Sequence, residues 1–340
     1  MPVRTPVSFS VDVCHLANQK RIAISDAGGN TNINSVDSVL TQLIASHTAA
    51  RGLPHVVTEW GGSYVHGNTV MGGGGSANPD AVGNISTGTS HDDYDAASFI
   101  LAAVDRARGL ADVFSYWAVS DVFEETAFPP ANSSFYGNFG IINTYGVPKP
   151  VRSPSFLWFR LLLPAEFPFQ AFRAFELLHE TGPTRANTTV VDKAAATFGG
   201  KAPPPGSCAN TTGAIASVTA GGTLSVIVYS QATRGAPIHS ACRASVAVRG
   251  VDAAVCERLA KKDGATVRRL DADHANPRRR WIELGMPQYP TADENKEILG
   301  ASEMVPEPLK VVPSTPGGGA CAFELDVPAQ GVAAATLPLL

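Results

Sequence analysis

Two short apolar runs bracket a segment of helical period, and that order constrains the fold more than any other feature of the chain. The first run, from about His55 to Trp60, is rich in valine and ends in Thr58-Glu59-Trp60. The second, from about Val113 to Ala118, reads Val-Phe-Ser-Tyr-Trp-Ala. Between them, residues from about Tyr94 to Arg108 carry apolar side chains at helical spacing. Apolar strand, helix, apolar strand is a βα unit of a parallel sheet, whose strands are buried on both faces. A further helical pattern from about Val36 to Ala50 is closed by Gly52 and Pro54. Residues 1–35 show no clean periodicity and stay unassigned.

Beyond Pro203-Pro204-Pro205 the pattern changes to short alternating runs, such as Leu224–Tyr229 and Ala244–Val248, with further strands expected near 321–326 and 331–339. Period-two alternation broken by turn residues predicts an antiparallel β-sandwich. A strand and turn over 137–147 and a short helix from Phe172 to Glu180, stopped by Gly182-Pro183, complete the reading. With 44% hydrophobic and 16% charged residues among 340, the chain can fill a sizeable core. Its 32 glycines and 25 prolines favour a loop-rich protein over a helical bundle. The net charge of −4 argues against nucleic acid or an anionic membrane surface as partner. The most apolar stretch, Phe156 to Leu163, is far shorter than the ~20 residues a membrane-spanning helix needs.

Four of the five cysteines (Cys208, Cys242, Cys256 and Cys321) lie in the C-terminal part, and no Cys-x-x-Cys pair occurs, which speaks against zinc and redox motifs. Asn84, Asn132, Asn187 and Asn210 head Asn-x-Ser/Thr sequons, which arise by chance or mark glycosylation. Taken with the cysteines they suggest a secreted or lysosome- or vacuole-like ancestry, although the first residues, Met1 to Pro6, lack the apolar core of a signal peptide. The run Gly72–Gly75 has no following Lys-Ser/Thr and reads as a linker within the loop 61–90, not as a phosphate cradle.

Candidate chemistry sits where the apolar runs end. Glu59 follows a strand directly and Trp60 stands beside it; Trp117 and the pair Glu124-Glu125 follow the second strand. Carboxylates at the tips of buried strands, beside aromatics able to stack on a sugar ring, suit glycoside cleavage. Singly, each has a plainer reading: a solvated or arginine-paired Glu59, a core Trp117, a helix-start Glu124-Glu125 favoured by the macrodipole.

The ordered set Thr58-Glu59-Trp60, His91-Asp92, Phe114-Ser115-Tyr116-Trp117 and Ser120-Asp121-Val122-Phe123-Glu124-Glu125 resembles glycoside hydrolase family 39, the β-xylosidase and α-L-iduronidase family. The likeness continues through Tyr136–Ile142, Gly146–Pro150 and Ala171–His179, and returns at Asp271–Pro277, Trp281 and Gly285–Pro290, a segment that reads as structural. The resemblance implies α/β plus all-β architecture: the C-terminal strands and helices of a (β/α)8 barrel over 36–182, then an antiparallel β-sandwich over 183–340. It implies a retaining glycosidase with Glu59 as nucleophile and with Trp60, Trp117, Glu124 and Glu125 lining the sugar site. The partner implied is a β-xyloside or related glycoside, and no cofactor or metal is needed for such acid/base chemistry. His91-Asp92-Asp93 reads as local hydrogen bonding.

Two departures qualify the expectation. The family's acid/base is the Glu of an Asn-Glu pair upstream of the nucleophile, and the sequence contains no Asn-Glu dipeptide. Glu59 also lies too near the chain's start for six preceding βα units, which would take roughly 190 residues at barrel proportions. The chain is therefore expected to lack the first half of the barrel and, by itself, to be inactive; the alternative is a non-catalytic carbohydrate-binding or structural relic. In addition, residues 151–170 interrupt the family pattern between Pro150 and Ala171. Their Val-Arg start and Phe-Pro-Phe-Gln end fit a translated intron as well as an inserted loop, and 1–35 fits a similar origin.

Overall fold

The computed structural model describes residues 9–12, 55–60, 95–109, 113–116, 170–188, 212–231, 241–261, 264–285, 287, 290–313 and 320–340. The expected helix over 36–50, the loop 61–90, the strand near 137–147 and the segment 151–169 lie outside them.

Three strands form a parallel sheet in the order β1 (Phe9–Asp12), β2 (His55–Trp60), β3 (Val113–Tyr116). Helix α1 (Asp95–Ala107) lies between β2 and β3 in sequence, so β2–α1–β3 is the parallel crossover that the apolar runs predict. Strand β1 falls in the stretch without assignable periodicity, because four residues are too few to display a period. Helix α2 (Gln170–His179) packs alongside α1.

The C-terminal region is built from two antiparallel sheets. The larger has the order β4-β5-β6-β12-β8-β9, with β4 Thr184–Arg185, β5 Thr212–Val218, β6 Thr223–Ser230, β8 Thr266–Leu270, β9 Glu307–Pro308 and β12 Val332–Pro338. The smaller has the order β10-β11-β7, with β7 Ala241–Arg249, β10 Val312–Pro313 and β11 Ala320–Pro328. Cys321, Phe323, Leu325 and Val327 of β11 are buried, while Glu324 and Asp326 between them are exposed. That alternation marks a sheet with one face on the core and one in water.

The larger sheet is covered on both faces. Leu224, Val226 and Val228 of β6 join Ala333, Ala335 and Leu337 of β12 in the core shared with β11. The intervening Ile227, Tyr229, Val332 and Ala334 join the opposite core, with Ile100 and Leu101 of α1 and Ala174 and Leu177 of α2. Successive strand residues point to opposite faces, so a sheet flanked by helices on one side and a sheet on the other needs apolar residues at every position. The order of layers is therefore helix pair, six-stranded sheet, three-stranded sheet.

Three helices accompany these strands, and the alternation-based reading did not foresee them. They are α3 (Ala253–Lys261), α4 (Pro277–Glu283) and α5 (Ala292–Ala301). Asn276 caps α4 by accepting the Arg279 N–H, and Pro277 occupies the first turn, where a missing N–H costs nothing. A capping box starts α5: Thr291 Oγ1 accepts the Glu294 N–H, and the Glu294 carboxylate accepts the Thr291 N–H at 2.7 Å. Cys256 of α3 is disulfide-bonded to Cys321 of β11, both fully buried, and Cys242 of β7 is disulfide-bonded as well.

Polar contacts fasten the helix pair to the sheet. Tyr229 Oη donates to Asp105 Oδ2 at 2.9 Å, and Arg185 donates to Asp105 Oδ1 at 2.8 Å. The guanidinium of buried Arg173 donates through Nε to the Ser302 carbonyl beyond α5 and pairs with Glu176 and Glu303. None of the described helices is long and apolar enough to cross a membrane.

Candidate functional site

The candidate site grows from the carboxyl edge of the parallel sheet. Phe9, Ser10 and Val11 of β1 pair with His55, Val56 and Val57 of β2, and Asp12 then pairs with Glu59. On the other side Val56 and Val57 pair with Val113 and Phe114, and Trp60 with Tyr116. Both ladders slip by one residue across Thr58–Glu59. The central strand thus holds one more residue than either neighbour just where its carboxylate residue stands. An extra residue of this kind bends and twists a strand, and such bulges are over-represented next to active sites because they re-aim a side chain.

Because the three strands are parallel, their C-terminal ends share one edge. Asp12, Glu59, Trp60 and Tyr116 take adjacent register positions along it. Ligands of parallel α/β folds bind outside this edge, where backbone ends and loops converge. Glu59 and Trp60 are the expected site residues found there; Trp117, Glu124, Glu125 and the stretch 91–93 lie outside the described residues.

Tyr116 connects the edge to the helix layer. Its half-buried ring meets Phe175 of α2 edge to face, with centroids 5.4 Å apart and planes at 67°. Such a pair contributes about 0.5–1.5 kcal/mol beyond area burial. Phe175 packs against the core that holds Ile100, Leu101 and Leu177, so the end of β3 is anchored rather than free.

Asp12 escaped sequence reading. The available signal was Phe9-Ser10-Val11-Asp12, a short apolar alternation ending in a carboxylate, like Val57-Thr58-Glu59 in miniature.

A second polar cluster lies on the sandwich. The buried Asp271 carboxylate accepts the N–H groups of Asp273 and His274 and meets His274 Nδ1 at 2.8 Å. The far side of that imidazole faces Glu307 of β9, which Arg269 of β8 also holds. These contacts close the turn from β8 into α4, in which Ala275 adopts a φ of 52° before the Asn276 cap. Among the described residues no group of three or more His, Cys, Asp or Glu is arranged to hold a metal ion.

Comparison with known proteins gives a family match over part of the chain. The model of glycosyl hydrolases family 39 matches residues 80–166. A beta-xylosidase of Caldicellulosiruptor saccharolyticus is 25% identical over 244 residues, which is 72% of this chain and 40% of that protein. A beta-xylosidase of Geobacillus stearothermophilus is 40% identical over 60 residues, 18% of this chain and 12% of that protein. Among solved structures, the GH39 enzyme from Xanthomonas axonopodis pv. citri superposes with a TM-score of 0.56 at 19% identity, covering 91% of this chain and 49% of that one. A monomeric beta-xylosidase from Caulobacter crescentus CB15 gives 0.55 at 21% identity, covering 91% and 50%. The two structural likenesses are of fold. The chain spans from two-fifths to half the length of these relatives, apart from the short second match.

Proposed function

Since the chain is related to the glycosyl hydrolases of family 39, we propose that it derives from a retaining glycosidase acting on β-xylosides or related glycosides. Its parallel sheet with α1 and α2 is then the C-terminal portion of a (β/α)8 barrel, with β1 (Phe9–Asp12) lying ahead of the span 36–182 expected for that portion, and 183–340 is the sandwich behind it. The observation that carries this reading is the one-residue bulge at Thr58–Glu59, at the carboxyl edge of the central parallel strand. Glu59 attacks the anomeric carbon as a carboxylate, displaces the leaving group and forms a glycosyl-enzyme that water then opens, with overall retention. Trp60 and Trp117 offer apolar faces to the sugar ring, and Glu124 or Glu125 accepts hydrogen bonds from its hydroxyls.

The chain lacks the family's Asn-Glu acid/base pair. Without a general acid the first step loses about 10²–10⁴ in rate when the leaving group needs protonation. A leaving group that departs readily as an anion needs none. The inactivity expected of the chain by itself then applies to leaving groups that need protonation: the chain alone should release dinitrophenol from a dinitrophenyl β-xyloside, slowly, and leave an alkyl β-xyloside intact. Glu59→Gln should abolish that release. Release that survives Glu59→Gln would remove the nucleophile assignment. Binding of xylo-oligosaccharide without any release would favour the non-catalytic reading.

A further inference from the structure

We propose that Asn187 is an N-glycosylation site, a reading that does not depend on the glycosidase assignment. Asn187-Thr188-Thr189 is a sequon whose middle residue is not proline. Sequons arise by chance, so the inference rests on the room the folded chain leaves for a glycan at this one and on the compartment that its disulfides imply.

Asn187 is exposed, two residues past β4. Among the described residues, strand β4 is the edge strand of the six-stranded sheet and pairs with β5. The ladder continues for one more bond, from the Ala186 N–H to the Ala216 carbonyl at 3.0 Å, and Asn187 follows it directly. A glycan at this position would project from the end of the edge and displace no core side chain. The other sequons, at Asn84, Asn132 and Asn210, lie outside the described residues.

The second observation concerns compartment. Cys256 and Cys321 are joined inside the sandwich core, and Cys242 is disulfide-bonded too. Structural disulfides form and persist in oxidising compartments such as the endoplasmic reticulum lumen, and Asn-x-Ser/Thr is the N-glycosylation acceptor of secreted proteins. The donor is a lipid-pyrophosphate-linked oligosaccharide. Asn187 Nδ2 bonds to the anomeric carbon, the carbon–oxygen bond to pyrophosphate breaks, the lipid pyrophosphate leaves with the electron pair, and the amide gives up one proton. No oxidant or reductant is required.

Edge strands expose unpaired N–H and C=O groups that invite pairing with another chain. A glycan beside β4 shields that edge, so the modification has a physical role beyond marking secretion.

The test is to direct the full chain into the secretory pathway of a eukaryotic cell behind a cleavable signal. Both secreted and cell-retained chain are collected, since glycan transfer precedes folding. Treatment with peptide N-glycosidase in ¹⁸O-water should convert Asn187 to ¹⁸O-labelled Asp in the peptide that carries it. Asn187→Gln and Thr189→Ala should each remove one glycan step on a gel, and Thr189→Ser should keep it. An Asn187 peptide without label in both pools, or an Asn187→Gln chain with an unchanged glycan ladder, would overturn the proposal.

Discussion

Gly213 and Tyr229 face each other across β5 and β6, and their pairing shows how single residues join the layers. A Cβ on Gly213 would lie 2.2 Å from Cζ and Oη of Tyr229, so the ring occupies the space that the missing side chain leaves. From there its hydroxyl reaches Asp105 of α1 at 2.9 Å. Hydrogen bonds to charged groups are worth about 1.5–3 kcal/mol, so Tyr229→Phe should cost about that much in urea unfolding. Gly213→Ala should cost more than Tyr229→Phe, because it expels the ring as well as breaking the bond. Equal stabilities for Gly213→Ala and the unaltered chain would contradict this packing. Neither residue advertised its role in the sequence: a glycine in a strand reads as a weak point until its cross-strand partner is known.

At the scale of elements, legibility followed periodicity and chain distance. Alternation exposed β6, β7 and β11 and the chain-end strand β12, while β5 went unread. The helices α4 and α5 were missed although their start signals, Asn276-Pro277 and Thr291-x-x-Glu294, stand in the sequence; their short apolar faces were lost among strand-like runs. The Glu294 cap sets an acid response. Hydrogen bonds from the Thr291 N–H and hydroxyl hold its carboxyl below the ordinary value of 4.5. Arg280 and Arg279 lower Glu283 in the same direction. A lowered folded value means the stabilisation is complete above the ordinary glutamate range and is lost as pH falls through the lowered values. The melting temperature should fall on acidification, and a Glu294→Gln chain should fall less steeply over the same range; parallel curves would exclude the cap as a source.

The Cys256–Cys321 link belongs to the same scale, and its pairing could not be read from cysteine spacing. It closes a loop across 65 residues between α3 and β11. On chain-entropy grounds a loop of that length is stabilised by on the order of 4 kcal/mol. Cys256→Ala with Cys321→Ala should lower the urea midpoint markedly, and an unchanged midpoint would mean that the bond adds nothing.

For the whole molecule, the decisive feature is that the six-stranded sheet has no water-facing side at its centre. Ala333, Ala334 and Ala335 of β12 are all buried, with Ala334 under the helix pair and its neighbours over the smaller sheet. The helix pair next to the parallel sheet and the sandwich therefore share a core instead of meeting as separate bodies. The βα unit, the sandwich and the position of Glu59 at a strand tip were legible, because they rest on local apolar period. The bulge at Thr58–Glu59 and the placing of Asp12 beside Glu59 were not, since both depend on register between strands distant in sequence. The central claim is that Glu59 is a nucleophile, and a dinitrophenyl 2-deoxy-2-fluoro-β-xyloside tests it most directly. Its departing anion needs no acid, and the fluorine slows breakdown of the glycosyl-enzyme. Peptide mass mapping should find one sugar adduct on Glu59 and none in Glu59→Gln; a folded chain with no adduct, or with the sugar on another carboxylate, would contradict the account.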